Sequence, residues 1–591
     1  MPFLILSISI FLLYGIEPSG DYYRYLEWAE AAVSGNINKL NPEFTSPKGI
    51  PLSQWQQGAG MLLALGKLAP ENFLALSHNA HLIGWICSLV FSYSFAKVIF
   101  HFSKENFTLA FFGFGIAFTG THTGFYTLII TSESLAFCFL AVFFLWILKW
   151  DRWKPFDFAV VGMATAMVLT IKLVFALYLL PALLFVFYLN LQKNKFEVSP
   201  KFISNFFFLL IPILVALLEI GIVNQWMTGS YFHSPYSFSY KGFNSLDWSR
   251  PEFFAILFHP LHGLFIYHPI YALGIFALIY LLVKTKEKLE RSIYLTVLTT
   301  IFFHLYLQAS WYGWWLGTGS FGMRGMSTIS IILVPILIRA INLDLNKNPF
   351  LSLVWIILSF LSCCWSYLLL CQGATNFYSY QEFIGSILNN PGLATNIQNI
   401  IIYILITGGF WGFLNKTNLK KNEDLPNYIC QLFSIFLFGL TLYYIVSLFF
   451  VNVLPSLNLK TNSPNIKIII TTAKIAFILG ASWILHSFLN KNLNLNFPLF
   501  PNKHLIHIYI TFVFIGSTLF FFNLYQNTDS LIRTFSKKSI KRQNPTSIHW
   551  TEINETYKEY LRIEGFDDAK ARLKSFIDTN GQTYLKKIPD F

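Results

Sequence analysis

Residues 156–190 read FDFAVVGMATAMVLTIKLVFALYLLPALLFVFYLN, and this stretch decides the fold class. Its charged residues are Asp157 at the start and Lys172 near the middle. A helix needs roughly 20 apolar residues to cross a bilayer, so the stretch is long enough for two short crossings. The cation that interrupts the apolar run predicts where they part, near Lys172. Similar apolar runs stand on both sides, at about 77–100, 107–119, 134–150, 201–225, 263–283, 292–309, 326–342 and 350–370. Further runs cover about 399–414, 427–451, 466–488 and 505–523. Pro2 to Ile16 forms a shorter run with no basic residue before it and a poor cleavage site after it, which predicts an uncleaved first helix. It leaves room for a start further upstream.

Composition agrees. Hydrophobic residues make up 54% of the 591, aromatics 18% and charged residues only 12%, against about 25% charged in soluble domains. That much apolar surface does not fit one soluble core, because such cores stop growing near roughly 250–300 residues. The sequence therefore predicts an all-α, polytopic membrane helix bundle of about 13–15 spans. The net charge of +13 would suit nucleic acid only as a basic face on a soluble domain. Here Lys and Arg collect in short loops between apolar runs, so membrane lipids are the expected surroundings and nucleic acid is not an expected partner. The six cysteines form no CxxC pair and read as small core residues, and a divalent metal, though not excluded, is not indicated.

The basic loops set orientation. Lys149, Arg152 and Lys154 follow one run; Lys193, Lys195 and Lys201 another; then come Lys284, Lys286, Lys288 and Arg291, and Lys416, Lys420 and Lys421. Counted through every run, all four loops fall on one side, which the positive-inside rule makes cytoplasmic. The other side then receives the long first loop, 120–132, 226–262 and 310–325. The polar tail, with its basic 533–542 segment, is also assigned there, since long tails translocate largely regardless of charge.

The outer loops carry the candidate chemistry. Ser19 to Val33 reads as a helix with Tyr22, Tyr25, Leu26, Ala29, Ala32 and Val33 on one face and Gly35 as its stop. Such a helix suits the membrane interface. Asp21 at its start reads either as a helix cap or as a carboxylate that takes a proton from an acceptor hydroxyl. Glu133, at the outer end of a run, is a first-turn acid favoured by the helix or a functional group at costly depth. His122 lies nearby without a second histidine at metal-ligand spacing. Lys172 either snorkels to the interface or serves as a functional cation. His259, His262 and His268 are interfacial polar residues, ligands or proton carriers. Trp311, Trp314 and Trp315 among glycines make flat apolar walls. Arg324, the cation of that loop, is either a snorkelling member of an aromatic belt or a bidentate phosphate ligand.

Taken in order, Gly20-Asp21 with Arg24-Tyr25, the segment from Thr45 to Gly58, His262-Gly263-Leu264-Phe265 with Pro269, and Trp311 to Arg324 resemble a known family. The chain resembles the glycosyltransferase C superfamily over about residues 15–340. The likeness is to the bacterial branch related to protein O-mannosyltransferases and the lipid A aminoarabinose transferase. The resemblance implies an integral enzyme of the bacterial inner membrane with its active site outside, using a polyprenyl-phosphate-linked sugar and inverting at the anomeric carbon. It implies Asp21 as the general base. Relatives often carry a second acid directly after this Asp, where this chain has Tyr22.

On that resemblance Arg324, helped by Lys172 or His262, would stabilise the phosphate leaving group. Glu133 would position a substrate sugar, and Arg24, Tyr25, Trp311 and Trp314 would line the substrate. The acceptor would be a lipid, glycan or protein hydroxyl. Residues 1–340 would form the catalytic module, 341–523 additional transmembrane helices, and 524–591 the polar tail. A flippase or other transporter of lipid-linked saccharides is the alternative. Transporters keep ionisable groups near the midplane, whereas the acids singled out here stand at the outer rim.

Overall fold

The structure, a computed structural model, describes residues 20–35, 44–45, 51–52, 57–67, 80–127, 131–193, 200–232, 248–249, 251–260, 262–311, 322–345 and 347–372. Short pieces at 383–385, 425–427, 429–430, 433–434 and 436–437 are described as well. The described residues are helical apart from one antiparallel two-residue pair, β1 (Phe44–Thr45) with β2 (Pro51–Leu52). That pair lies between α1 (Gly20–Ser34) and α2 (Gln57–Lys67). The chain continues through α3 (Ala80–Phe102), α4 (Phe107–Gly120), α5 (His122–Tyr126), α6 (Ser132–Ile147) and α7 (Pro155–Ile171). Next come α8 (Ala176–Lys193), α9 (Pro200–Thr228) and the short α10 (Phe253–Phe258) and α11 (Leu264–Tyr267). The last are α12 (Ile270–Lys284), α13 (Lys288–Ser310), α14 (Ile329–Leu345) and α15 (Pro349–Gln372).

Local chemistry sets these boundaries. Asn106 caps α4 by accepting from the Leu109 amide, and Thr131 caps α6 in a reciprocal pair with Ser134. Pro155 opens α7, where its missing N–H costs no helical hydrogen bond. The 156–190 stretch does part at Lys172: the residue ends α7 at φ −153°, ψ 83°, and a 3-10 turn, Leu173–Phe175, leads into α8.

Four helices are long and apolar enough to cross a membrane, over Leu82–Phe102, Ile203–Thr228, Lys288–Ser310 and Pro349–Leu370. Shorter apolar helices stand beside them. In α9 only 11% of the most apolar window is buried in the protein, and Phe207, Phe208, Ile211, Leu214, Val215 and Leu218 face outward. A row of large apolar side chains this exposed needs lipid as its solvent. The chain thus has the helices of an integral membrane protein. Inside, rings pack on rings: Phe91 lies 5.3 Å from Phe95 and 5.7 Å from Phe137. Lipid is as apolar as these rings, so their contribution is close packing and dispersion rather than removal from water.

Small residues allow close approach. Gly162 of α7 presses against the backbone of Leu209 on α9, where a Cβ would collide with main-chain atoms. α12 packs on α14, and both α14 and α15 pack on α4. The helices alternate between two ends. One end carries the basic loops and pairs its acids: Arg339 with Glu290 at 3.2 Å, the Tyr280 hydroxyl donating to Asp344 at 2.6 Å, and the Trp146 indole donating to Asp157 at 2.9 Å. The opposite end gathers the loops after α4, α7 and α13.

Two expectations change. The first-loop helix runs where predicted and ends at Gly35, whose φ is +64°. Its buried side is Tyr25, Leu26, Trp28, Ala29 and Ala31, however, while Ala32 and Val33 are exposed. The helix packs on α2, and Trp28 lies against Gly60, so the protein rather than lipid selects the face. The single run expected at 263–283 is broken at His268-Pro269, because proline lacks an N–H and restricts the residue before it; a new helix starts at Ile270. α14 runs through residue 340, and α15 after it packs on α4. The expected helices at 2–16 and 399–414, those at 466–488 and 505–523, and the tail lie outside the described residues, as does most of 427–451.

Candidate functional site

At the end opposite the basic loops, three charges far apart in sequence meet. Glu133 stands in the first turn of α6, fully shielded from solvent. The Arg324 Nε donates to Glu133 Oε1 at 2.7 Å, and its Nη2 donates to Oε2 at 2.8 Å, a two-pronged guanidinium–carboxylate pair. The Lys172 ammonium donates to the same Oε1 at 2.7 Å and to the Ser132 hydroxyl at 3.3 Å. Ser132 in turn donates to Oε2 at 3.2 Å. Magnitudes decide what holds the carboxylate there. A helix N-terminus contributes about 0.3–1 kcal/mol to an acid. Burying an ion costs several kcal/mol. A cap alone would not keep Glu133 buried; two cations do.

Both cations keep an open side. The side chains of Lys172 and Arg324 are 26% and 27% exposed. Among the described residues, the two cations and one carboxylate leave a surplus of one positive charge. Lys172 also stands at the C-terminal end of α7, where the helix dipole favours a cation. The Arg324 guanidinium lies 5.9 Å from the centre of the Tyr126 ring, and the Lys172 ammonium lies 6.0 Å from that of Phe175. Chemically the cluster is a preoriented receptor for an anion that reaches it from its partly open side.

A second layer lies behind Tyr126. The His122 ring stacks 6.0 Å from Tyr126 and 5.5 Å from Tyr271, and the tilted His268 ring lies 4.2 Å from it. The Tyr271 oxygen accepts the His122 backbone N–H at 3.2 Å and is 2.8 Å from its Nδ1. His268 donates from Nδ1 to the Gly120 carbonyl at 3.0 Å. Gly322 rests on this layer with φ +70°, and a Cβ there would stand 3.1 Å from Nε2 of His122 and from Cδ2 of His268. Only glycine fits that conformation and that space without strain. Two residues on, the 3-10 turn Arg324–Met326 delivers the guanidinium to Glu133.

Of the residues singled out in the sequence, Glu133, Lys172 and Arg324 come together. Asp21 and Arg24 lie in the first turns of α1, with side chains outside the described residues, and Tyr25 is buried. His262 is buried in the loop before α11. Trp311 caps α13 and packs on the core, while Trp314 lies outside the described residues. Tyr126 and Tyr271 were missed by sequence reasoning; the available signal was a hydroxyl on an apolar face near the outer end of a helix. The same holds for the buried Tyr178 and His304 pair, 2.6 Å apart. Among the described residues no group of three or more His, Cys, Asp and Glu stands close enough to hold a metal ion. Compared with protein-family models, curated proteins and solved structures, the chain matches none of them.

Proposed function

We propose that the chain is a membrane glycosyltransferase that moves a sugar from a polyprenyl phosphate to an acceptor hydroxyl on the outer face of a bacterial inner membrane. The observation that carries this reading is the Lys172–Glu133–Arg324 cluster. Among the described residues it offers one surplus positive charge and a planar guanidinium at the end of the bundle away from the basic loops. The phosphate linking a lipid to a sugar carries one negative charge, and its charge grows as the bond to the sugar breaks. Arg324 and Lys172 meet that charge, and the resemblance adds His262 as a helper. Both Glu133 oxygens are engaged, so its role is to hold the two cations in register rather than to touch a sugar.

The resemblance to the glycosyltransferase C superfamily supports Asp21 as the general base, with inversion at the anomeric carbon. It supports Arg24, Tyr25, Trp311 and Trp314 as substrate contacts within a bundle of about 13–15 spans. Base and leaving-group site would then face each other across the donor sugar. Clustering of the charges at one end rather than at mid-depth favours chemistry over transport.

The test is to incubate the purified protein in vesicles with labelled polyprenyl phosphates bearing different hexoses or pentoses, with and without a candidate acceptor. Release of lipid phosphate with sugar transfer is expected for one donor. Movement of intact donor between leaflets without release would establish the flippase instead, and neither event with any donor would refute both readings.

A further inference from the structure

A second polar pair joins the lipid-facing helix α9 to the start of α2. Glu219 lies within α9, in the span Ile203–Thr228. The Gln57 side chain, at the start of α2, lies against its carboxyl group. Gln57 is 6% exposed. Nevertheless Nε2 of Gln57 and Oε1 of Glu219 are both buried without a well-formed hydrogen bond among the described residues, so their contact with each other is a loose one. An ionisable group on a membrane-facing helix is costly, and a buried amide without a partner adds to that cost. Sites of this kind persist where a ligand completes them.

Position connects the pair to the cluster. Gly162 of α7 lies against Leu209 of α9, and both helices run away from the basic end. The same number of residues further on, at the same rise per residue, α7 reaches Lys172 and α9 reaches Glu219. Both residues therefore lie on the side of the Gly162–Leu209 contact that is away from the basic loops. From the other side, Gly58 sits against Thr170, two residues before Lys172, which brings the N-terminus of α2 and Gln57 to the same place.

An amide donor and a carboxylate acceptor side by side match the hydroxyls of a saccharide, each of which both donates and accepts. A bare phosphate would be repelled by Glu219, so the pair does not suit a second anion. We propose that Gln57 and Glu219 form a saccharide-hydroxyl site next to Lys172, with the amide donating to one hydroxyl and the carboxylate accepting from another. The inference rests on the lipid-phosphate reading above and adds the element that distinguishes a sugar-bearing carrier from a bare one.

The experiment measures binding of decaprenyl phosphate and of decaprenyl phosphates bearing mannose, glucose or arabinose to the full chain in lipid nanodiscs. The native protein is compared with Glu219→Gln and Gln57→Leu, after thermal unfolding confirms that each is folded. The native chain should prefer at least one glycosylated lipid over the bare one. Each variant should lose about tenfold in affinity for that lipid, as expected for a lost hydrogen bond to or beside a charged group. Gln57→Leu should keep its affinity for the bare lipid, and Glu219→Gln, which removes a repelling charge, should keep or raise it. If Glu219→Gln does not fold, Gln57→Leu decides alone. Equal weakening of both lipids, or no change in either, overturns the inference, as does a native chain that binds bare and glycosylated lipid equally. A native chain that binds neither lipid overturns the lipid-phosphate reading and this inference with it.

Discussion

Replacing Glu133 by Gln separates the two things the carboxylate does. The substitution keeps the shape but removes the charge that joins α6, the Lys172 break and the Arg324 turn. Two Arg324 contacts at 2.7 and 2.8 Å and one Lys172 contact at 2.7 Å lose their ionic partner, and the new amide NH₂ points at a cation. Breaking a buried pair typically costs about 3–5 kcal/mol. Here both cations are a quarter exposed and can rehydrate, so the low end, about 3 kcal/mol, is expected. Part of that loss should vanish when the orphaned cation is removed too. In a double-mutant cycle with Arg324→Gln, measured by denaturant unfolding in mixed micelles, the coupling should reach about 1–3 kcal/mol. Function offers a sharper contrast. The surplus charge rises from one to two, so a site that needed only positive potential would bind lipid phosphate more tightly after Glu133→Gln. A site that needs oriented donors should turn over more slowly despite the added charge. Additive stabilities together with unimpaired turnover would refute the orienting role.

Other outcomes follow from the same geometry. Asp21→Asn should fold normally, because Asn caps a helix about as well as Asp, yet lose about 10²-fold or more in turnover with donor binding retained; near-normal turnover would end its assignment as base. Gly322→Ala should destabilise by about 1–3 kcal/mol, since alanine is strained at φ +70° and would meet the His122 and His268 rings. Donor affinity should fall with it, because Arg324 follows two residues later; unchanged thermal unfolding would count against that packing. Single cysteines at Arg152 and Lys286, in a background without the six native ones, should resist an impermeant thiol reagent applied outside, whereas one at Ser230 should react. Equal labelling at all three would reverse or dissolve the orientation.

Local chemistry was legible in the sequence wherever one residue decides. Lys172 in an apolar run marked the break between α7 and α8, and Gly35 marked the end of α1. Pro269 could have marked the second break, at His268, but a continuous apolar run masked it. The face of α1 was misjudged because helical spacing grouped Ala32 and Val33 with Tyr25, Leu26 and Ala29 and left out Trp28, for which Gly60 on the neighbouring helix opens a place. The functional trio illustrates the wider limit. Glu133, Lys172 and Arg324 were each open to a bland explanation alone, as a capping acid or a snorkelling cation. Their meeting depends on three helix ends reaching one level, which periodicity within each helix does not encode. Gln57 and Glu219 gave still less signal, since a lone acid in a span is informative only once its neighbour is known.

The most direct measurement is the dissociation constant of decaprenyl phosphate, without a sugar, for the native chain, Arg324→Lys and Lys172→Met in nanodiscs of neutral lipid. Arg324→Lys keeps the charge but loses the planar fork, and Lys172→Met keeps the stem but loses the charge. Both should weaken binding by about tenfold or more while thermal unfolding shows a folded protein. Native affinity in both folded variants would contradict the assignment of the lipid-phosphate group to this cluster.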